Sequence, residues 1–305
     1  MKDCTFVLVT RKTRLQELVE RFNSWAQAKF YLEHNQVNAQ DYLDENVRYQ
    51  NQIQQAESTL RKLGRFQRIE RAMLTSYQFS KTDVVVVIGQ DGLVANTLKY
   101  LDGQPLIAIN PDPTRWDGIL LPFELAQLKD VVARTVQGRA ETKNITFAQA
   151  STNDGQVLYA VNDLFIGPKS HTSARYAITW NAIQEVQSSS GIIVSTGLGS
   201  SGWLQSIITG ASGVAGTTNL AKQALFDWSD ARLKFAVREP FPSQTTGTSC
   251  VYGEIQASQP LRLESYMPEN GVIFSDGIED DFIRFNSGCL ATIQVADRNG
   301  SLVIK

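Results

Sequence analysis

Histidine and cysteine are scarce in this chain of 305 residues, with two and three copies. With only His34 and His171 available, a histidine-based metal site or catalytic triad lacks its parts. Cys4, Cys250 and Cys289 are too few and too scattered for a disulfide framework or a zinc site. Long apolar runs are missing too: none approaches the ~20 residues that span a bilayer. The opening MKDCTFVLVTRKT has too short an apolar part for a signal peptide and no small-residue cleavage site. No Arg- and Ser-rich presequence precedes it, so cytoplasmic residence is the expectation. Neither sign of charge is in large excess, with 29 Lys and Arg against 31 Asp and Glu. The formal net charge of −2 gives no general attraction to nucleic acid or to a membrane surface. Any polyanion must be met by a local site. There is no internal repeat and no low-complexity tail.

What is present fits a soluble globular chain long enough for two domains. Early on come short, unbroken apolar runs: Thr5-Phe6-Val7-Leu8-Val9, Val84-Val85-Val86-Val87-Ile88 and Leu106-Ile107-Ala108-Ile109. Runs of this kind suit strands buried on both faces, as in a parallel sheet. Between the first two lies a polar, helix-rich stretch far longer than one crossover helix needs. In it Tyr49, Ile53, Ala56, Leu60 and Leu63 alternate spacings of four and three, which puts them on one helical face, and Gly64 fits the helix stop. The pattern predicts a helical hairpin inserted at about residues 13–78 of an α/β unit. From about Ile145 onward, short segments alternate apolar and polar residues, as in Tyr176-Ile178-Trp180 and Leu261-Leu263. Gly, Asn, Ser and Pro turns separate them, the signature of a half-buried antiparallel sandwich. Two short helices are expected to interrupt it, near Trp203 and near Asn219. The expected fold is thus α/β plus all-β. A doubly wound parallel-sheet domain covers 1–140, a β-sandwich-like domain covers 141–275, and terminal strands follow over 276–305.

Three segments carry candidate chemistry. In the first, the strand Val84–Ile88 runs into Gly89-Gln90-Asp91-Gly92, with a helix expected from Val94 to Leu101. Ligands of open α/β sheets bind at the carboxyl ends of strands. Glycines there let backbone N–H groups approach phosphate oxygens, and a carboxylate can take a proton from an attacking hydroxyl. Taken alone, Gly-x-Asp-Gly is also a common tight turn. In the second, a strand ends in Ser195-Thr196-Gly197-Leu198-Gly199-Ser200-Ser201-Gly202-Trp203, a loop of small residues and hydroxyls before a helix. It suits a phosphate or a ribose, or is a plain helix entry with Ser200 or Ser201 as N-cap. Neither loop has the P-loop lysine or the Gly-x-Gly-x-x-Gly spacing, so a Rossmann dehydrogenase is not supported. In the third, Asn162 and Asp163 interrupt the apolar stretch Val161–Gly167, either as a bulge or to hold ribose hydroxyls.

Taken in their order along the chain, Gly89–Gly92, then Asn162-Asp163, then Ser195–Trp203, the three segments resemble those of NAD kinases. That family carries Gly-Gly-Asp-Gly after a parallel strand, then Asn-Glu early in its β domain, then Ser-Thr-Pro-Thr-Gly-Ser-Thr-Ala-Tyr. The mitochondrial-type branch is the closer match. Its Asn-x-Asp-Pro-x-Arg segment is similar to Asn110-Pro111-Asp112-Pro113-Thr114-Arg115. Its β domain is similar in Ser189-Ser190-Gly191, Trp203, Arg238-Glu239-Pro240 and Asp276-Gly277. The resemblance also suggests that the last strands return to the first domain.

The resemblance implies an ATP-dependent kinase that phosphorylates the 2′-hydroxyl of the adenosine ribose of NAD to give NADP, with Mg²⁺ accompanying ATP. Asp91 would be the general base. Gly89 and Gly92 would face the nucleotide phosphates. Arg115, in a Pro-rich turn after a strand end on the expected ligand side, is a candidate for a phosphate contact or a subunit contact. Gly92, Asn162, Asp163, Thr196, Gly199, Ser200 and Ser201 would meet NAD. A homo-oligomer, with a dimer favoured, is also implied, and neither nucleic acid nor a membrane is a partner. The departures are Gln90 for the second glycine, Leu93 for the threonine that follows, Asp163 for glutamate and Leu198 for a hydroxyl. A non-catalytic NAD(P)-binding homologue and a lipid or sugar kinase of the related fold are the competing readings. Outside these segments, Arg61, Arg65 and Arg68 are read as a solvated helix face, His171 as a surface turn residue, and Trp25 and Trp228 as core or interface residues.

Overall fold

The structure, a computed structural model, describes residues 4–217 and 224–305. It divides into two compact units, one of Met1–Thr142 with Ser301–Lys305 and one of Lys143–Gly300. The helix expected near Asn219 falls outside the described residues.

The first unit opens with β1 (Thr5–Thr10) and then a helical insertion. The insertion holds three helices rather than a hairpin: α1 (Arg14–Phe22), α2 (Trp25–His34) and α3 (Ala39–Leu63). Thr13, Ser24 and Asn38 each cap the next helix through a side-chain oxygen, which satisfies an otherwise orphaned N–H. Gly64 ends α3. The strands β2 (Arg65–Glu70), β3 (Val84–Ile88) and β4 (Pro105–Ile109) follow, with α4 (Asp91–Leu98) after β3 and α5 (Leu128–Val136) after β4. Arg65 and Arg68 therefore stand on a strand, not on a basic helix face.

The sheet runs β2-β1-β3-β4, parallel throughout. Every residue of β3 is buried, as its unbroken apolar run requires. Tyr49, Ile53, Ala56 and Leu60 of α3 pack with Phe6, Leu8, Val86, Ile88 and Ile107 on one face of this sheet. At 25 residues α3 is about 37 Å long, roughly twice the span of a five- or six-residue strand. Its first turns therefore run past the carboxyl ends of the strands.

The second unit holds β5 (Thr142–Thr152), β6 (Val157–Ala160), β7 (Asp163–Pro168), β8 (Ala174–Trp180), β9 (Ile183–Ser189) and β10 (Ile192–Ser195), then α6 (Trp203–Ala215). The strands β11 (Arg232–Val237), β12 (Tyr252–Gln256), β13 (Leu261–Ser265), β14 (Gly271–Ser275), β15 (Ile278–Arg284) and β16 (Leu290–Val303) complete it. One antiparallel sheet runs β12-β11-β10-β7-β14-β15. In the other, β9-β8-β13-β16 pair antiparallel, and β5 pairs with β16 and β6. Alternate residues of the two sheets form the core between them: Leu164, Ile166, Ile192 and Val194 from one, and Tyr176, Ile178, Leu261 and Ile293 from the other. The opposite residues of the first sheet, Phe165, Ile193 and Phe274, pack with Trp203 and Ile207 of α6. Residues 276–300 lie in this second unit, and the end of β16 alone joins the first, where Ser301 and Leu302 pair in parallel with Pro105 and Leu106.

Among the described residues no helix is long and apolar enough to cross a membrane.

Candidate functional site

The strand β3 delivers Gly89-Gln90-Asp91-Gly92 to its carboxyl end, and α4 begins at Asp91 rather than at Val94. Gln90 is the N-cap of α4 and sits at φ −121°, ψ 165°. That is extended backbone open to any L-residue, so nothing in the main chain here demands glycine. At Gly89 an added Cβ would come within 2.8 Å of Leu93 Cδ2. The buried Leu93 side chain thus folds up beneath the turn. At Gly92 a Cβ would meet nothing within 4 Å, so this side of the turn is open. Asp91 stands in the first turn of α4, where the helix dipole favours a negative charge. Its Oδ1 accepts the Leu120 backbone N–H at 2.7 Å, and the side chain stays half-exposed. Leu120 carries no side-chain chemistry, and no sequence signal points to it.

The segment Asn110–Arg115 forms a tight loop after β4. Asn110 Oδ1 accepts the Asp112 N–H at 3.0 Å, and its Nδ2 donates to the Trp116 carbonyl at 3.0 Å. The structure places Arg115 on carboxylates of the insertion: it pairs with Asp41, and its Nη1 lies 3.3 Å from Glu45 Oε2. Asp112 in turn pairs with Arg48. The acidic residues of α3 were unremarkable as sequence, because their partners lie some 70 positions away.

In the second unit, Asn162 and Asp163 sit where β6 has ended and β7 begins, a junction rather than the interior of one strand. The N–H groups of Val161, Asn162 and Asp163 converge on Asp276 Oδ1 at 3.0, 2.6 and 3.3 Å. Asp276 and Gly277, at φ +55° and +70°, form the two-residue turn between β14 and β15. Positive φ at both positions is the hairpin geometry that Asp-Gly favours. The dipeptide therefore makes the turn and aims a carboxylate into a concavity of three backbone donors. Neither Asn162 nor Asp163 makes a side-chain hydrogen bond to another described residue, which leaves both heads available.

Burial, and then the neighbouring charge of Asp276, push the Asp163 carboxyl up to about 7. Unfolded, the group titrates near its ordinary 3.8. Between those values the folded chain keeps a proton that the unfolded chain has released, so this group makes stability fall as pH rises from about 4 to about 7. Asp163→Asn, which keeps the shape and cannot ionise, is expected to lose less thermal stability than the wild type between about pH 4 and about pH 7. Equal losses in the two proteins would contradict the shift.

The loop after β10 is held from within. Thr196 Oγ1 donates to the Val161 carbonyl at 2.6 Å and accepts the Gly199 N–H at 3.2 Å. Ser200 Oγ donates to the Gly197 carbonyl at 2.7 Å. Thr196, Gly199 and Ser200 are buried, whereas Ser201 and Gly202 are exposed. The N-cap of α6 is Gly202, without a side-chain cap, so neither serine caps the helix. A Cβ on Gly199 would fall 2.1 Å from the Asn162 carbonyl oxygen, and one on Gly197 would fall 2.0 Å from that of Asp227. These glycines allow the loop to lie against the backbone of Asn162 on one side and of Asp227 on the other. Trp203 stacks parallel on Phe165 at 5.8 Å, and the Arg238 guanidinium lies 5.5 Å from the centre of the Trp203 ring. His171 is exposed in the loop before β8, and Trp228 meets Lys143 through its ring. Among the described residues no group of three or more His, Cys, Asp or Glu side chains gathers as a metal site.

No family model matches the chain, and no curated protein does. Solved structures do. An NAD kinase from Archaeoglobus fulgidus, in complex with ATP, superposes with a TM-score of 0.57 at 14% identity, over 98% of this chain and 93% of that one. Yeast NADH kinase, complexed with NADH, also gives 0.57 at 14% identity, over 99% of this chain and 83% of that one. The chain has the two-domain fold of these kinases.

Proposed function

We propose that the chain is an NAD kinase, transferring the γ-phosphate of ATP to the 2′-hydroxyl of the adenosine ribose of NAD. One observation carries this reading. On a fold shared with an NAD kinase and an NADH kinase, the parallel strand β3 ends in a glycine turn that presents a half-exposed carboxylate, Asp91, beside an open glycine, Gly92.

Asp91 takes the proton of the 2′-hydroxyl as it attacks phosphorus. The Leu120 N–H holds one carboxylate oxygen and leaves the other for this work. Gly89 and Gly92 face the phosphates. The Gly89 N–H is taken by the Ile109 carbonyl at 3.4 Å, so the donor offered there is the N–H of Gly92. Mg²⁺ arrives as part of the ATP substrate to neutralise the transferring group. Asn162 and Asp163 hold the nicotinamide-side ribose. Thr196, Gly199 and Ser200 shape the second loop from inside, while Ser201 and Gly202 form its outer surface. Arg115 is already matched by two carboxylates, so we assign it to holding the loop after β4 rather than to phosphate.

Gln90 divides this reading from a pocket that binds NAD without turnover. Its ordinary φ supports the catalytic reading, because a Cβ there brings no backbone strain. Gln90→Gly is therefore expected to change turnover by less than about threefold, well under the effect of losing a general base. Calorimetry with NAD, beside an NADP-forming assay on both proteins, checks it. A silent wild type that binds NAD and gains turnover as Gln90→Gly would establish the non-catalytic reading.

A further inference from the structure

We infer that Tyr49, on the inserted helix α3, is a positioning residue for the Gly89–Gly92 turn. On the kinase reading above, it is thereby a positioning residue for phosphoryl transfer. None of the motifs includes this residue; the geometry singles it out. Its ring lies in the core against the sheet, 3% exposed. Its hydroxyl reaches the carboxyl end of the strands, where it donates to the Ile88 carbonyl at 2.7 Å and accepts the Arg11 N–H at 3.0 Å. Ile88 is the last residue of β3 and the neighbour of Gly89, while Arg11 directly follows β1. The strand order β2-β1-β3-β4 reverses direction between β1 and β3. In an open α/β sheet that is where a ligand crevice opens. One hydroxyl thus ties together the two lips of the crevice, three residues before the proposed base. Burial pushes this phenol up to about 12, so it remains a protonated donor across the neutral range.

The same helix grips the other side of Asp91. One and two turns before Tyr49, Glu45 and Asp41 pair with Arg115, and Arg48 pairs with Asp112. The loop so held leads on to Leu120, whose N–H binds Asp91 Oδ1. Glu45 also meets Arg11 at 3.1 Å and Arg14 at 2.5 Å, which locks the helix to the end of β1. The insertion therefore constrains Asp91 through the main chain at Ile88 and through the hydrogen bond from Leu120. Misplacing a reacting group by even an ångström costs rate, though substrate affinity can remain.

Tyr49→Phe keeps the ring and removes only the hydroxyl. Ile53→Val, one turn along the same buried face and without a bond to the turn, is the packing control. Tyr49→Phe is expected to lower kcat about tenfold to a hundredfold, with the KM for NAD within about twofold, whereas Ile53→Val leaves kcat at the wild-type value. Amide hydrogen exchange gives a readout that needs no activity. Peptides covering residues 89–94 and 118–121 are expected to exchange about tenfold faster in Tyr49→Phe and unchanged in Ile53→Val. If the wild type makes no NADP, the kinase reading fails, and exchange alone decides: faster exchange in Tyr49→Phe upholds the positioning role. Unchanged exchange overturns that role in either case, as does a kcat for Tyr49→Phe no lower than that of Ile53→Val in an active enzyme.

Discussion

Asp91→Asn is expected to lower NADP formation by at least ~10²-fold, the usual cost of losing a general base. NAD affinity is expected to change little. Asparagine is isosteric, and its Oδ1 still accepts the Leu120 N–H that holds the turn at 2.7 Å. The local structure is therefore kept while the proton acceptor is lost. A fall in kcat without a matching rise in KM is the signature of an interaction used in the transition state. If Asp91 served only to cap the loop at Leu120, asparagine would do the same work and the variant would turn over at the wild-type rate. Steady-state kinetics beside calorimetry separate the two roles.

The second large effect is expected at Gly199. A methyl group there would sit 2.1 Å from the Asn162 carbonyl oxygen and 2.5 Å from its carbon. Both are backbone atoms, and the N–H groups on either side of that carbonyl are held by Asp276. Neither side of the contact can yield without displacing the Asn162-Asp163 backbone. Gly199→Ala is expected to destabilise the chain by ~3 kcal/mol, at the upper end for overpacking, and to weaken NAD binding at least tenfold where folded protein can be measured. Gly210→Ala is the comparison: it lies inside α6 with nothing within 4 Å of an added Cβ. Here alanine is expected to stabilise by about 0.5–1 kcal/mol, because it removes backbone freedom from the unfolded chain. Denaturant unfolding of both variants checks the pair. A Gly199→Ala protein as stable as the wild type would show that the loop does not lie where the structure puts it.

Features that depend on local periodicity were legible in the sequence. The five apolar residues of β3 are a buried strand, and the spacing of Tyr49, Ile53, Ala56 and Leu60 is a buried helix face. Where a segment had no such signature, the reading slipped. In Arg65–Glu70 the apolar residues Phe66 and Ile69 are three apart, which mimics a helix; the segment is the polar edge strand of the sheet. The glycine turns were legible as turns at strand ends, and only their order along the chain and the family resemblance singled them out as candidate sites. Their supports were not legible, since each is a long-range main-chain contact: Leu120 on Asp91, Asp276 on three successive N–H groups, Tyr49 on Ile88. The Asp276-Gly277 pair entered only through the family resemblance; that it makes a hairpin turn, and where its carboxylate points, depends on β7 lying beside β14. The conformation at Gln90 is likewise a property of the folded turn, because glutamine tolerates the extended backbone found there and only the structure shows that the turn uses it.

The central claim is that this chain phosphorylates NAD, and the product of one incubation tests it most directly. Purified protein is incubated with NAD, ATP and Mg²⁺, and the product is read by an NADP-specific dehydrogenase, which responds only to the 2′-phosphate. NADP is expected to accumulate with time, to depend on both ATP and NAD, and to fall at least ~10²-fold with Asp91→Asn. No NADP would contradict the central claim, and binding of NAD without turnover would then leave the non-catalytic reading.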